Sequence, residues 1–399
     1  GGGTAVRGLL RHLSRRHTVL LVCLVRPDET EHVAELSELG LEVRPIPFLD
    51  RRARGKNRLA LAGSRGRAWL RSLHTGYPLY VEKYWSRTLS RQVIDAVRTF
   101  QPDAIQVEYL QLALLVRDLR RWRETRTAPN EGRPRLILNT HELGSLPRRR
   151  RQAGARHQAA RLYFRSEAAA WERLQLQATR WADVTLCVTE QDRQLLAAQG
   201  GKGLMTMPLG MDLEAIEPVW REEGPAKFLF VGSFAHGPNQ IAAKFLVDKV
   251  WPQVAQCTPT GQLILAGPGS DDFIAALDRQ PERVSALGFV EDLTALFQEC
   301  RLFVAPLTEG GGIKIKILEA MARGIPVVTT PIGAEGIVDP AEDALVIAQP
   351  DATFAESMIE AIETPDLMRR RAKQARQIIE QRFSWSAITE KLTSIYEGR

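Results

Sequence analysis

The sequence predicts an α/β chain built from two doubly wound parallel-sheet domains, and three observations carry that expectation. Short apolar runs alternate with stretches whose apolar residues recur at helical spacing. The alternation halts once, over the turn-rich and charged Pro208–Lys227, and then restarts. A strand, a run of glycines and a helix follow one another at Leu302–Met321, as in a βαβ unit.

In the first half, "HTVLLVCLV" (His17–Val25), "LEVRPIPF" (Leu41–Phe48), "DAIQVEY" (Asp103–Tyr109), "RLILNTH" (Arg135–His141) and "DVTLCVT" (Asp183–Thr189) read as strands. "AVRGLLRHLSRR" and "LSRQVIDAVRTF" carry the helical period between them. In the second half "KFLFVGS", "GQLILAG", "VSALGFV", "RLFVAPL", "PVVTT" and "ALVIA" are further strands. The predicted boundary is near residue 213, giving domains 1–212 and 213–383, with an amphipathic closing helix 384–399 that packs back on the first domain. Two such domains are expected to leave a ligand cleft between the carboxyl ends of their sheets. The chain opens on "GGGTAVRGLLRHL", a glycine turn entering a helix; such a turn normally follows a first central strand, so that strand is expected to be missing from the chain.

Composition narrows the classes. The 399 residues, 44% apolar and 25% charged, suit a globular protein with ample core. No apolar run approaches the ~20 residues that span a bilayer, and the opening glycines do not read as a signal peptide. Cys23, Cys187, Cys257 and Cys300 are widely spaced, which favours reduced thiols over disulfides or a zinc site. The expected location is cytoplasmic. A net charge of +7 asks for an anionic partner. Residues 51–72 hold eight basic side chains and 145–165 hold seven arginines, neither with an acid, which suits an anionic membrane surface or acidic acceptor. Neither stretch sits in a nucleic-acid recognition module.

The most informative segment is "APLTEGGGIKIKILEAMARGIPVVTTPIGAEGI" (Ala305–Ile337). A helix N-terminus carries partial positive charge, so lysines in its first turn are unfavourable by about 0.3–1 kcal/mol unless an anion stands in front. Gly310, Gly311 and Gly312 permit positive φ and expose backbone N–H groups, which with the helix terminus form an anion site. Lys314 and Lys316 add formal charge. Glu319, three residues beyond Lys316, is wrong for phosphate but can accept two hydrogen bonds from a ribose diol. A nucleoside diphosphate accounts for both signs of charge. An ordinary βαβ turn with one i,i+3 Lys–Glu pair, worth a few tenths of a kcal/mol, leaves the glycines unexplained. There is no G-x-x-x-x-G-K-[ST] loop, "LAGPGSDD" lacks the third glycine of the dinucleotide fingerprint, and no Asp-x-Asp pair is present, so no metal is expected.

At these residues the chain resembles the retaining glycosyltransferases of family 4 (glycosyl transferases group 1), in their bacterial polysaccharide sugar-transferase type, which have the GT-B fold of two Rossmann-like domains. "GGGIKIKILEAMARGIPVVTTPIGAEGI" is similar to the family's C-terminal signature, "FLFVGSFAHGPNQIAAKFLVDKVWP" to the opening of its donor domain, and "ALGFVEDLTALFQECRLFVAPL" to the segment lining the base. "ADVTLCVTEQDRQLL" and "PLGMDLE" are similar to the last acceptor-domain strand and its hinge. The resemblance implies transfer of a sugar from a nucleoside diphosphate sugar (a UDP- or GDP-sugar) to an acceptor hydroxyl with retention, without metal or other cofactor, in cell-surface polysaccharide or glycolipid synthesis at the inner membrane face. It implies nucleotide-sugar contacts at Gly232, Ser233, Val290, Gly311, Gly312, Ile313, Lys314, Leu318 and Glu319, and catalytic roles for His141 and Lys314. Gly2 and Gly3 match its glycine loop for phosphate and acceptor. The first glutamate of the family's E-x7-E pair falls at Gly311, with Glu309 out of register, and the basic pair that usually follows Gly232 is absent, with Ser233 and Asn239 in that neighbourhood. Lys314 is expected to replace that charge. A sugar-nucleotide epimerase of the same fold and a non-catalytic transferase-like binding protein are the alternatives.

Overall fold

The computed structural model describes residues 2–26, 29–48, 56–125, 133–214, 216–219, 226–278, 280–310, 312–339 and 341–399. They form two units, Gly1–Pro208 with Ile388–Arg399, and Leu209–Ala387.

In the second unit the strands are β7 (Lys227–Val231), β8 (Gln262–Ala266), β9 (Val284–Ala286), β10 (Leu302–Ala305), β11 (Val327–Thr329) and β12 (Val346–Ile347), numbered after the six strands of the first unit. They pair in parallel in the order β12-β11-β10-β7-β8-β9, which in chain order is the doubly wound 3-2-1-4-5-6 pattern. All six follow the sequence expectation. Central strands of such sheets are covered on both faces and therefore read as unbroken apolar runs; Phe228, Leu229, Phe230 and the whole of β10 are buried. Helix Ile315–Ala322 packs into the same core through Ile317, Leu318 and Met321, while Ile315 is exposed. It ends as the sequence suggests: Gly324 has φ +69, its N–H bonds Met321 O and that of Ile325 bonds Ala320 O. This is the crossed pair of bonds that closes a helix when glycine takes the left-handed conformation.

In the first unit, β1 (Leu20–Val25) and β2 (Glu42–Pro47) form a separate parallel pair, and β3 (Ala104–Glu108), β4 (Arg135–Asn139), β5 (Val184–Cys187) and β6 (Leu204–Thr206) form a parallel sheet in that order. The sequence reading lacked β6, a short run between Gly203 and the turn formers that follow it. Pro45 and Pro47 sit in β2, tolerable because a strand edge needs no donor there. Helix Trp385–Glu397 ties its later residues to this unit: Lys391 donates to Thr206 O, the His17 ring nitrogen bonds Thr393, and the Tyr396 hydroxyl donates to Gln106. Among the described residues no helix is long and apolar enough to cross a membrane.

Candidate functional site

The order of the six-stranded sheet reverses between β7 and β10, and ligands of open parallel sheets bind beyond the carboxyl ends of the strands at such a reversal. The loop after β7 begins with Gly232, and there the structure is tight. A Cβ on Gly232 would stand 2.7 Å from the Asn239 amide nitrogen and 2.8 Å from the Lys316 ammonium. Lys316 donates to Asn239 Oδ1 at 2.7 Å and lies 4.7 Å from the centroid of the Phe230 ring. Asn239 in turn donates to Ser233 O at 2.9 Å, and the Ser233 side chain is exposed. A buried ammonium needs such partners, because losing water costs more than any one contact returns. Burial first, and Lys314 second, lower the Lys316 pKa to about 8.

Beyond β10, Gly310 (φ +117) and Gly312 (φ +71) take conformations that only glycine adopts without strain. Gly311 lies outside the described residues. The first intrahelical bond runs from Ile317 N–H to Lys314 O, so the amides of Ile315 and Lys316 precede it and face out of the helix end. Ile313 packs against the core. Lys314 precedes the helix in extended conformation, which sends its side chain elsewhere than that of Lys316. Its ammonium donates to Gly312 O and comes within 3.9 Å of Glu335 Oε2, an atom buried without a hydrogen-bond partner among the described residues. The ammonium that reaches the Gly232 loop is therefore that of Lys316, where the sequence expectation named Lys314. Leu318 also differs from expectation: its side chain is wholly buried and its N–H is taken by Lys314 O, so it shapes the helix and offers a ligand neither.

Glu319, one turn on from Lys316, keeps 27% of its side chain exposed. Arg323 approaches its Oε1 at 3.4 Å, a long contact that leaves most lone pairs available. Burial raises the Glu319 pKa against the pull of Arg323, with Asp292 adding to the rise. That coupling brings the segment after β9 to this carboxylate: Val290 is half-buried against the core beside Gly288, whose carbonyl accepts from Gly267 N–H at 2.8 Å. Glu309 is exposed.

In the first unit His141 lies beyond the carboxyl end of β4, where Asn139 is paired with Glu108 of β3. Its Nε2 bonds Glu108 Oε2 at 2.5 Å, and its ring stacks on Tyr109 with centroids 3.9 Å apart. The same Glu108 oxygen accepts from Asn139 at 3.0 Å, and Gln106 donates to the other. Both stacked residues have positive φ, +56 at His141 and +72 at Tyr109. Neither is glycine, and two strained positions on adjacent strand ends are the kind of backbone that persists where a site requires it. Gly2 and Gly3 stand in the first turn of helix Gly2–Leu13, not in a loop. Of the basic stretches, 145–165 is described and its Arg149 and Arg148 are held by Glu172 and the Trp171 ring, whereas 51–55 falls outside the described residues.

Sequence reasoning named Lys316 as added charge and Asn239 as a neighbour of the Gly232 loop, but gave neither a contact to make; Glu335 and Glu108 it did not name, since both are partners made only by folding.

Comparison with known proteins adds to this geometry. Residues 225–364 match the family model "Glycosyl transferases group 1". The chain is 27% identical over 210 residues to the phosphatidyl-myo-inositol mannosyltransferase of Mycobacterium tuberculosis, covering 49% of this chain and 54% of that one. It is 29% identical over 215 residues to the GDP-mannose-dependent monoacylated alpha-(1-6)-phosphatidylinositol monomannoside mannosyltransferase of Corynebacterium glutamicum, covering 48% and 55%. The chain thus spans about half the length of the curated relatives it matches. Among solved structures, Anabaena Alr3699/HepE in complex with UDP superposes with a TM-score of 0.67 at 16% identity, over 100% of this chain and 96% of that one.

Proposed function

We propose, for a chain whose residues 225–364 match the glycosyl transferases group 1 model and which has the GT-B fold, membership of that family and the transfer of a sugar from a UDP- or GDP-sugar to a lipid or sugar acceptor. The observation that carries this reading is the Lys316 ammonium, held by Asn239 against the Gly232 loop at the reversal of the second sheet, with Glu319 one turn away. A diphosphate set before the helix end would receive the amides of Ile315 and Lys316 and the Lys316 charge. As the bond to the sugar breaks, the leaving diphosphate gains charge, and donors already in place stabilise that charge without reorganisation. Glu319, which meets Arg323 only through one long 3.4 Å contact, takes the ribose diol, and Val290 borders the base. His141, fixed by Glu108 and Tyr109, is assigned to the reacting sugar, where a histidine oriented by a carboxylate can hold or accept a proton. Relatives named as mannosyltransferases of phosphatidylinositol glycolipids favour GDP-mannose and a lipid acceptor. The arginines of 145–165 suit an anionic membrane surface.

Calorimetric titration of the full chain with GDP-mannose, UDP-glucose and the free nucleotides tests the reading. One sugar nucleotide is expected to bind, with binding at least about tenfold weaker in Lys316→Ala and in Glu319→Ala. Unchanged affinity in both variants would remove the donor site from this position.

A further inference from the structure

A second cluster of positive charge lies away from both carboxyl-edge sites. Three helices of the first unit end together: Lys56–Thr75, Ala113–Glu124 and Gln158–Trp181. Their last turns enclose a cavity of about 630 Å³ whose wall includes Arg117, Arg120, Arg121, Arg180, Tyr77 and Trp181. Glu124 is the one carboxylate in that wall. The helices Ala113–Glu124 and Gln158–Trp181 precede β4 and β5 in the chain, so the cavity is at the amino edge of the sheet, opposite His141 and a strand length or about 15 Å away.

Two of the four guanidiniums have work within the fold. Arg117 pairs with Asp118 at 3.0 Å and lies over the Trp85 ring, and Arg120 bonds Glu124 at 2.8 Å and the Arg180 carbonyl. Arg121 and Arg180 are exposed, and among the described residues neither meets a carboxylate. Arg121 and Arg180 stand in the last turns of their helices, where the carboxyl end favours a cation. They stand beside a rigid aromatic wall: Tyr77 donates to Gln177 and stands edge-on to Trp181 at 6.3 Å. Burial, with Glu82 adding to it, raises the Tyr77 pKa against the pull of Arg117, Arg121 and Arg173. Within six residues of the lining His74, the same helix leaves Trp69, Leu70 and Leu73 more than half exposed.

We infer that this cavity is an anion site that binds a phosphate-bearing ligand through Arg121 and Arg180, separately from the donor site. Planar guanidiniums make paired hydrogen bonds to phosphate oxygens, and two unpaired arginines at one cavity are suited to a phosphate ester. The ester can be a soluble one or the headgroup of a lipid whose chains meet Trp69, Leu70 and Leu73. The inference does not depend on the donor-site reading.

The test uses the full chain, the variant Arg121→Ala/Arg180→Ala and a control of equal charge, Arg91→Ala/Arg98→Ala, on the exposed face of another helix. Glycerol phosphate is titrated by calorimetry, and vesicles of phosphatidylglycerol or phosphatidylcholine are co-sedimented. The expected result is at least tenfold weaker binding of glycerol phosphate, of phosphatidylglycerol vesicles, or of both, in the first variant alone, with nucleotide affinity unchanged. Loss confined to vesicles, and repeated in Trp69→Ser, identifies a lipid headgroup; loss for glycerol phosphate identifies a soluble ester. Equal loss in the control, or no binding of either probe by the unaltered chain, overturns the inference.

Discussion

The two units use the same kind of sheet but fix their polar groups by different means. In the second unit β7 is flanked on both sides and its Phe228, Leu229 and Phe230 are fully buried. The Gly232 loop leaves that rigid strand, and close packing together with the single bond to Asn239 sets where Lys316 can stand: a would-be Cβ on Gly267 lies 2.1 Å from the Gly232 carbonyl oxygen. In the first unit, among the described residues, no strand joins β1 to β3, and every residue of β1 is only half-buried although all are apolar or Cys. His141 is held there by a polar chain instead. Tyr396 donates to Gln106, Gln106 to Glu108, and Glu108 bonds the imidazole. Packing tolerates little volume change, whereas a hydrogen-bond chain responds to the loss of any member. Altering the second unit should therefore read out as binding, and altering the first as turnover.

The largest expected effect tests the turnover half. His141→Ala should lower kcat by about 10²-fold or more, the usual scale for a positioned proton-transfer group, with donor affinity within a factor of two or three. Steady-state kinetics beside nucleotide titration separates the terms. A matching fall in donor affinity would mean that the two units do not divide the work in this way. Next in size, Lys316→Ala should weaken nucleotide diphosphate binding by about 10–100-fold, since a hydrogen bond to a charged group contributes about 1.5–3 kcal/mol. Lys314→Ala should cost less, because that ammonium is turned toward Gly312 and Glu335.

The contrast also explains what could be read in advance. The second sheet was legible because buried parallel strands must be continuous apolar runs between glycine turns, and Gly324 announced its helix end. The short β6 was not, since three residues carry no period. The glycine turn at 310–312 pointed to an anion site, and which lysine, 314 or 316, reaches the Gly232 loop needed the structure. Whether a lysine precedes a helix or stands in its first turn decides where its ammonium goes, and helix ends are the least sequence-determined points of an element. His141 could be placed at a strand end; Glu108, which orients it, is brought there only by strand pairing.

A smaller effect follows from the Lys316 environment. With its pKa lowered to about 8 by burial, the free protein loses that charge as pH rises through 8, whereas a bound diphosphate would hold the proton on. Nucleotide affinity should then be flat below pH 7 and fall above about pH 8, by up to tenfold per pH unit, with proton uptake on binding. Calorimetry in buffers of different ionisation enthalpy reads that proton directly. In Lys316→Arg the fall should vanish, because guanidinium stays charged throughout.

The smallest effect probes the far end of the polar chain. Tyr396 is buried, and burial together with the nearby Glu108 charge raises its pKa, so the phenol stays protonated and remains a donor across the working range. Tyr396→Phe keeps the ring and its edge contact with His17 but removes the 2.8 Å bond to Gln106. The loss of one such bond costs about 0.5–1.5 kcal/mol of stability, visible as a small drop in the denaturant midpoint. Gln106, no longer held at its oxygen, can turn its amide away from Glu108, and the carboxylate then orients His141 less firmly. Turnover should fall a few-fold with nucleotide affinity unchanged. If stability drops by the expected amount while turnover does not move, the chain ends at Glu108, and that carboxylate with the strained backbone at Tyr109 and His141 suffices to hold the imidazole in place.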